Sequence, residues 1–558
     1  MEISRRKFLK SAFVVAAGMA LPGAFYPCMR PKRSIAGATP AGSDPSPFSR
    51  VAHPNDSAGF IGDRPSPGHG ILWDKKRYLA SMGGIPPVTE SASVVIVGGG
   101  VSGLVAAYAL RDLNPVLLEQ SSQFGGNAKA ERWGDLEYAL GSAYISRPEK
   151  GSATATMLEE LGLLGRSRSE FPPDEEATLV RGKMFRPLWQ GATDPARARE
   201  FTRVRDRLLA IYENEYPAIP AKTAADAARL RELDRMSFAE WVRRDLGPIH
   251  PHLEELFHEY CWDAMGGAYD EVSAAQALNF ITADLNGIVA FPGGNATIAE
   301  ALYRGLESAQ PKQNLRPGSF VIDIEPQSSG GGVRVTYKAP DGSLKSIHAK
   351  ACIVTSPKFI AKVLISGMPS EQQEAISRLE YRAFLVANVL LDGEIPSSSF
   401  GMFHLRGRVP QSPDETVKMA SERAYTSVVF ANWAAGHGSS KSVLTLYKPF
   451  PYKGGRFELS KPDAYQIARA RFEKAIPKLL RSFDADPKRV AGLRILRMAH
   501  AMPVAAQGLL ADGTLELAAR TVAGRIFLAQ QDNWANPCVE TALAVALQAA
   551  GQARNAVV

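Results

Sequence analysis

Three glycines, Gly98, Gly100 and Gly103, form a G-x-G-x-x-G turn, and an acid, Glu119, follows in the same unit. Four apolar residues, Val94 to Val97, precede the turn; an Ala/Leu-rich run at helical spacing follows it, and Val116 to Leu118 lead into the acid. The order is strand, tight turn, helix, strand, acid. The first glycine permits the turn, the second lets main chain approach a pyrophosphate, and the third lets helix and strand pack closely. The helix N-terminus turns free N–H groups and a positive dipole end toward the phosphates. Glu119 is placed to accept hydrogen bonds from ribose hydroxyls. The residues predict a dinucleotide site without choosing among dinucleotides.

Other chemistry-bearing stretches lie far away in sequence. Phe124-Gly125-Gly126-Asn127-Ala128-Lys129 makes a second glycine turn soon after the acid, and Leu140-Gly141-Ser142-Ala143-Tyr144 follows. Such a turn suits main chain packed against a cofactor, although a plain surface turn uses the same residues. Near the C-terminus, Arg525 to Ala529 reads as a buried strand, Gln530 to Pro537 as a polar loop and Val539 to Ala553 as an Ala-rich helix, which offers a second helix N-terminus. His500, in His500-Ala501-Met502-Pro503-Val504, is a candidate base or substrate-orienting residue, and equally a core histidine. Trp534, with Asn533, is a candidate for shaping a pocket beside the loop acid Asp532. Trp433 and Tyr144 read first as core aromatics.

These groups need a scaffold. The chain has 558 residues, too many for one core, and 45% hydrophobic with 22% charged residues is an ordinary globular composition. From ~34 to ~90 it is rich in Pro, Gly and Ser and reads as a linker or wrapping arm. From ~150 to ~284 helical patterns dominate, in Ala196 to Tyr216, Ala224 to Arg244 and Leu253 to Ala264, with Ser237 and Glu240 spaced as a capping box. A helix Ala296 to Leu306 follows Phe291-Pro292-Gly293-Gly294-Asn295. Then come a strand in Ser319 to Ile324, a hairpin of Val333 to Tyr337 and Lys345 to His348 about Asp341-Gly342, and a buried strand Ala351 to Thr355. Strands and a helix, Ala464 to Leu480, fill ~366 to 490.

The net charge is +8, but residues 1–33 hold seven basic residues and one acid, which leaves +2 for the rest. Bulk charge therefore gives no reason to expect nucleic acid as a partner. Ser4-Arg5-Arg6-Lys7-Phe8-Leu9-Lys10 before the short apolar run Ser11 to Ala24 resembles a twin-arginine export signal, which predicts a periplasmic or secreted protein. No later stretch is apolar for the ~20 residues a membrane span needs, so no stable span is expected in the mature chain. The four cysteines, Cys28, Cys261, Cys352 and Cys538, are too widely spaced for a zinc site or a redox pair, so no metal is expected and buried thiols are.

With these pieces placed, the chain resembles the flavin-containing amine oxidase superfamily. The resemblance rests on GGGVSG with Glu119, FGGNAKAE, FPGGNATIAEAL, SFVIDI with ACIVTSP, and the terminal FLAQQDN before the Ala-rich helix. FGGNAKAE, and YDEVSAAQALNF followed by FPGGN, look most like the branch of bacterial spermidine dehydrogenases. The resemblance implies FAD and an α/β fold, a Rossmann-like FAD-binding domain with a mixed or parallel sheet, interleaved with an α+β substrate domain. Residues 1–33 are then the signal region and 34–90 the arm. The FAD-binding domain takes 91–150, 285–365 and 495–558, and the substrate domain takes the helical cap 151–284 and the stretch 366–494. The resemblance also implies FAD contacts from Gly98, Gly100, Val101, Ser102, Gly103, Glu119, Gln120, Gly125, Gly126, Asn127, Val321, Asp532 and Val539. By match, Val321 pairs through its backbone with adenine and Asp532 contacts the ribitol–phosphate side. The chain departs from the family at Asn127, where many members have arginine, and at Gln531, where many have glycine. The lysine that many members place near flavin N5 has no match, nor has a flavin-linking cysteine, so the FAD is expected to be non-covalent.

A flavin accepts hydride at N5, so no triad or acid pair is needed and none is present. The expected reaction is oxidation of a small-molecule amine, with a polyamine as the sharper form. Glu540 and Asp263 are candidate carboxylates for a polycation, and His500 and Trp534 are the catalytic candidates. Alternatives are a desaturase or isomerase of an apolar chain and a non-catalytic FAD-binding partner subunit. The electron acceptor is oxygen or a carrier protein.

Overall fold

A computed structural model describes residues 48, 56–63, 65–328, 331–395, 397–436 and 438–558. The twin-arginine stretch and Cys28 lie outside the described residues.

Two large sheets organise the chain. The first has seven strands, in the order Leu315–Arg316, Val116–Leu118, Val88–Val97, Leu344–Val354, Val333–Lys338, Phe320–Pro326, with Ile526–Leu528 also pairing Leu344–Val354. Its centre is parallel: Val94 to Val97 run beside Ala351 to Val354 on one side and Val116 to Leu118 on the other. These strands are buried on both faces, which is why they read as unbroken Val/Ile/Leu runs. Its strands come from three separated stretches of chain. The helices Val101–Ala109, Ala296–Ala309 and Val539–Val557 share one apolar core with it. The hairpin strand expected at Lys345 to His348 and the buried strand expected at Ala351 to Thr355 are one strand, Leu344–Val354. Its first half pairs antiparallel with Val333–Lys338 and its second half lies in the parallel centre.

The second sheet has eight strands, in the order Ile61–Gly62, Val490–Pro503, Tyr381–Asp392, Lys441–Pro449, Ser427–Phe430, Gly401–Leu405, Ala177–Val180, Lys183–Phe185. Helices Pro251–Met265 and Ala274–Leu285 belong to the largely helical stretch that precedes its central strands. The pattern over Ala224 to Arg244 is not one helix: it breaks after Ala224–Asp234 and restarts at Phe238–Trp241. Ser237 and Glu240 cause the restart, since each accepts the other's backbone N–H. The Pro/Gly/Ser-rich arm also departs from expectation. Within it lie two helices, Pro65–Leu72 and Lys75–Ser81, seated on Phe320 and Ile322 through Ile71, Leu72 and Leu79. Lys75 anchors the second by donating to Asp323 at 2.8 Å.

Candidate functional site

The glycine turn forms as its spacing demands. Gly98 N–H donates to Leu118 O at 2.8 Å, which ties the turn to the neighbouring strand. A Cβ on Gly103 would lie 1.8 Å from Gly98 O, so only glycine lets helix Val101–Ala109 sit so close to the strand. That helix is capped by Gly100, which offers no side-chain acceptor, so its first N–H groups are left for a ligand.

The second glycine turn packs directly on the first. Gly125 N–H donates to Gly99 O at 2.8 Å, Gly100 and Gly125 form a parallel bridge, and a Cβ on Gly126 (φ +59°) would lie 3.0 Å from Gly100 Cα. Two stretches of bare main chain thus lie side by side, with Gly126 and Asn127 exposed along them. This cradle, which a side chain would fill, fits a pyrophosphate.

Glu119 closes one end. It is buried, and its carboxylate accepts from Gly99 N–H at 2.6 Å and Ser121 N–H at 2.7 Å. Burial pushes its pKa up against these bonds. Each oxygen keeps a lone pair for a ribose hydroxyl. Ser319 N–H donates to Glu119 O at 2.7 Å, which brings Val321 to the same end. Val101 is buried in the turn of the helix, while Gln120 is exposed. Ser102 differs from expectation. Its hydroxyl donates to Ala542 O at 3.2 Å, so it fastens helix Val101–Ala109 to the C-terminal helix and only its main chain is left for a cofactor.

Asp532 also differs. It has no exposed surface, and its oxygens are taken by Lys358 Nζ at 2.5 Å, Lys358 N–H at 2.7 Å and Tyr381 Oη at 2.5 Å. It ties the loop to Lys358 and Tyr381, which commits both of its oxygens to protein partners. The half-buried Gln530 and Gln531 flank it instead. Val539 opens the C-terminal helix, half-buried, beside the N-cap Cys538. Cys261 and Cys352 are buried thiols; Cys538 is half-buried, and all three are free.

His500 packs on Phe359, the sequence neighbour of the Lys358 that binds Asp532. The strand Val490–Pro503 bulges between its pairings with Phe384 and Arg382, and His500 rides on the bulge. Its ring lies 4.5 Å from that of Phe359 and its Nε2 3.5 Å from Arg456 Nη1. Burial, Arg456 and His69 push its pKa down to about 4. Trp534 is half-buried, and its carbonyl accepts from Gln276 Nε2 at 2.7 Å. Trp433 is a core aromatic, wholly buried under Arg168. Neither buried lysine serves the groove: Lys358 is committed to Asp532, and Lys448 donates to Ala420 O.

Beyond the groove, Gly141 faces Met498, Leu496 and Val386 of the eight-stranded sheet. Next to it lies a set of groups that sequence reasoning mostly missed. Asp284 accepts from Tyr144 Oη and Tyr260 Oη at 2.7 Å each and from Ser146 Oγ at 2.6 Å. Glu540, on the first turn of the C-terminal helix, accepts Ser146 N–H at 2.6 Å. Glu176 accepts from Trp189 Nε1. Burial raises all three, Glu540 to about 7 and Glu176 to about 8, and the nearby Asp284 raises both further. Among the described residues none of the three is paired with Arg, Lys or His. Asp263 belongs elsewhere: it accepts from Thr426, near the buried Arg423 that pairs with Glu255 and Glu259. The signal for Asp284 lay in spacing: Gln276, Phe280 and Asp284 repeat every four residues on one helix face.

Among the described residues no helix is long and apolar enough to cross a membrane, and no group of side chains could hold a metal ion.

Residues 101–551 match the model of the family described as flavin containing amine oxidoreductase. Oxidoreductase PigB of Serratia sp. is 24% identical over 526 residues, covering 83% of this chain and 75% of the relative. A probable flavin-containing monoamine oxidase A of Dictyostelium discoideum is 24% identical over 302 residues, covering 51% of this chain and 62% of the relative. Among solved structures, putrescine oxidase bound to putrescine has a TM-score of 0.59 at 17% identity, covering 83% of this chain and 99% of that one. A fatty acid isomerase of P. acnes has a TM-score of 0.59 at 13% identity, covering 83% and 98%. These likenesses show a shared fold. The family match runs from the start of helix Val101–Ala109 through the second glycine turn and into the C-terminal helix, and its cofactor is FAD: the chain belongs to the flavin containing amine oxidoreductase family.

Proposed function

We propose that this protein is an exported oxidoreductase that oxidises an amine carrying a second positive charge, a diamine or polyamine, as in the spermidine dehydrogenase-like branch. Bound FAD supplies the hydride acceptor, its N5. The two glycine turns and the helix N-terminus at Gly100 hold the pyrophosphate, and Glu119 holds the ribose. The observation that carries the substrate class is the cation-free group of Asp284, Glu540 and Glu176. One buried and two half-buried acids with only neutral hydrogen-bond partners are costly, and a bound ammonium group offsets that cost. Tyr144, Tyr260 and Ser146 hold Asp284 in place for it. The apolar wall of Val386, Leu496 and Met498 excludes water and favours a neutral amine at the reacting carbon.

An isomerase of an apolar chain has no use for three unpaired carboxylates. Export rests on Arg5 and Arg6 in the N-terminal stretch. A fusion of residues 1–41 to a folded reporter is expected to be exported, and changing both arginines to lysine to block it. The substrate reading is tested by steady-state kinetics with a diamine and the monoamine of equal chain length. The diamine is expected to have a kcat/KM higher by about tenfold or more, a difference of ~1.4 kcal/mol, and D284N to erase that preference. Equal rates for the two amines, or turnover of an unsaturated fatty chain alone, contradict the reading.

A further inference from the structure

A line of rings runs from Tyr381, beside the cofactor loop, to His500, and a second ring pair, His69 and Trp73, reaches the surface. Tyr381 donates to Asp532 at 2.5 Å and its ring lies 4.8 Å from Phe359; Phe359 lies 4.5 Å from His500. Arg456 Nη1 lies 3.5 Å from His500 Nε2, and His69 is near enough to help lower the His500 pKa. His69 packs on Trp73 with ring centroids 5.0 Å apart, and Arg456 lies over Phe457 at 5.0 Å. Trp73 is 86% exposed and Phe457 62% exposed, the most exposed tryptophan and phenylalanine among the described residues. Tryptophan and arginine together are the typical anchors of a protein interface, and exposed apolar residues of this size mark such sites.

The charges of this face are unbalanced. Of its carboxylates, Glu380 pairs with Lys453 and Arg382, while Asp63, Asp74 and Glu458 accept only from neutral donors, Ala499 N–H at 2.6 Å, Arg77 N–H at 3.0 Å and Tyr452 Oη at 3.0 Å. Arg456 has no carboxylate partner among the described residues, and Arg497 donates to the main-chain carbonyls of Leu459 and Asp63. The surface left for a partner is aromatic around the unpaired Arg456.

We propose that Trp73, Phe457 and Arg456 form the docking face for a small acidic one-electron carrier protein, and that the ring line behind them is the route by which electrons leave. The protein is then a dehydrogenase. Each amine oxidised to its imine gives up two electrons and two protons; two carrier molecules each gain one electron, and the protons pass to solvent. This rests on the amine-oxidising reading only for the source of the electrons.

The test removes that dependence by reducing the FAD-loaded protein with dithionite under anaerobic conditions and mixing it with a ferric c-type cytochrome of acidic pI. A basic c-type cytochrome and ferricyanide serve as controls. Binding of the acidic cytochrome is measured in parallel by surface plasmon resonance. We expect fast reduction of the acidic cytochrome that slows with added salt, and a loss of about tenfold or more in both rate and affinity in R456E and in W73A. Flavin content and reoxidation by ferricyanide should be unchanged in both variants. Equal rates with the two cytochromes, or no effect of either variant, overturns the proposal. So does a dimer that W73A dissociates, because the face then belongs to a second copy.

Discussion

Lys358 and Asp532 form a buried ion pair, Nζ to Oδ1 2.5 Å, with side chains 1% and 0% exposed. Burial pushes the Lys358 pKa down, and the carboxylate pushes it back up. Lys358 sits where the strand Leu344–Val354 gives way to helix Lys358–Leu364, and Asp532 sits in the loop after Ile526–Leu528. The pair therefore locks together two segments that flank the glycine groove, and Tyr381 extends the lock to the second sheet.

Breaking one half of this pair should be costly. K358M leaves a carboxylate buried without its cation, and the expected loss is about 3–5 kcal/mol of stability, with FAD retention falling in step. Adding D532L to K358M should return much of that stability, because two apolar groups no longer carry an unpaired charge. Thermal melts and the visible flavin absorbance of the purified variants measure both effects.

The glycine contact gives a sharper expectation. In G103A the new methyl group meets Gly98 O at 1.8 Å, so helix and strand must move apart and the cradle opens. The variant should purify without flavin and fail to take it up on reconstitution. In G151A, at an exposed glycine with nothing within 4 Å, flavin content should stay at the wild-type level even though its φ of +79° strains the backbone locally.

The acid group predicts a pH dependence with a definite sign. Glu176 and Glu540 have pKa values raised by burial to about 8 and about 7. A carboxylate raised in the folded state favours folding below its unfolded value of roughly 4, and that advantage is lost as pH rises through the folded value. The melting temperature should therefore fall between about pH 4 and 8 and level off above that, and E176Q should flatten the fall. A diamine, which pairs with the ionised acids, should restore more stability at the alkaline end than at the acid end. In kinetics, KM for the diamine should rise as pH drops through 8 to 7.

His500 is expected to matter little for chemistry. A general base contributes about 10²–10⁴-fold, whereas a half-buried histidine held between Phe359 and Arg456 should not. H500A should lower kcat with a saturating amine by less than about tenfold, measured with ferricyanide as acceptor. A loss of the larger size would place His500 in the reaction.

The FAD half was legible because its chemistry is local. Val94 to Glu119 needs only neighbouring residues to make a strand, a turn and a helix, and glycine is the residue type that main-chain contact demands. The substrate half was not, because its members come from distant stretches that only tertiary folding brings together. Asp284, Glu540 and Glu176 belong to two helices and a strand edge, and none has a motif around it. Asp532 shows the same limit from the other side: its place in the terminal loop was readable, but Lys358, which decides where its carboxylate points, lies 174 positions away. His500 rides on a β-bulge that no pattern in Met498 to Pro503 announces. The arm was read as extended because Pro and Gly dominate it, yet Ile71 and Leu79 find apolar cover on Phe320–Pro326 and fold helices there.

Whether the FAD held by this cradle takes hydride from an amine decides the proposed function. The most direct measurement is anaerobic mixing of the purified FAD-loaded protein with diamines, polyamines and monoamines while the oxidised flavin band is followed. Rapid bleaching by a diamine or polyamine is predicted, with slower bleaching by the matched monoamine and none by an unsaturated fatty acid. A band that stays oxidised with every amine and responds only to the apolar chain contradicts the claim.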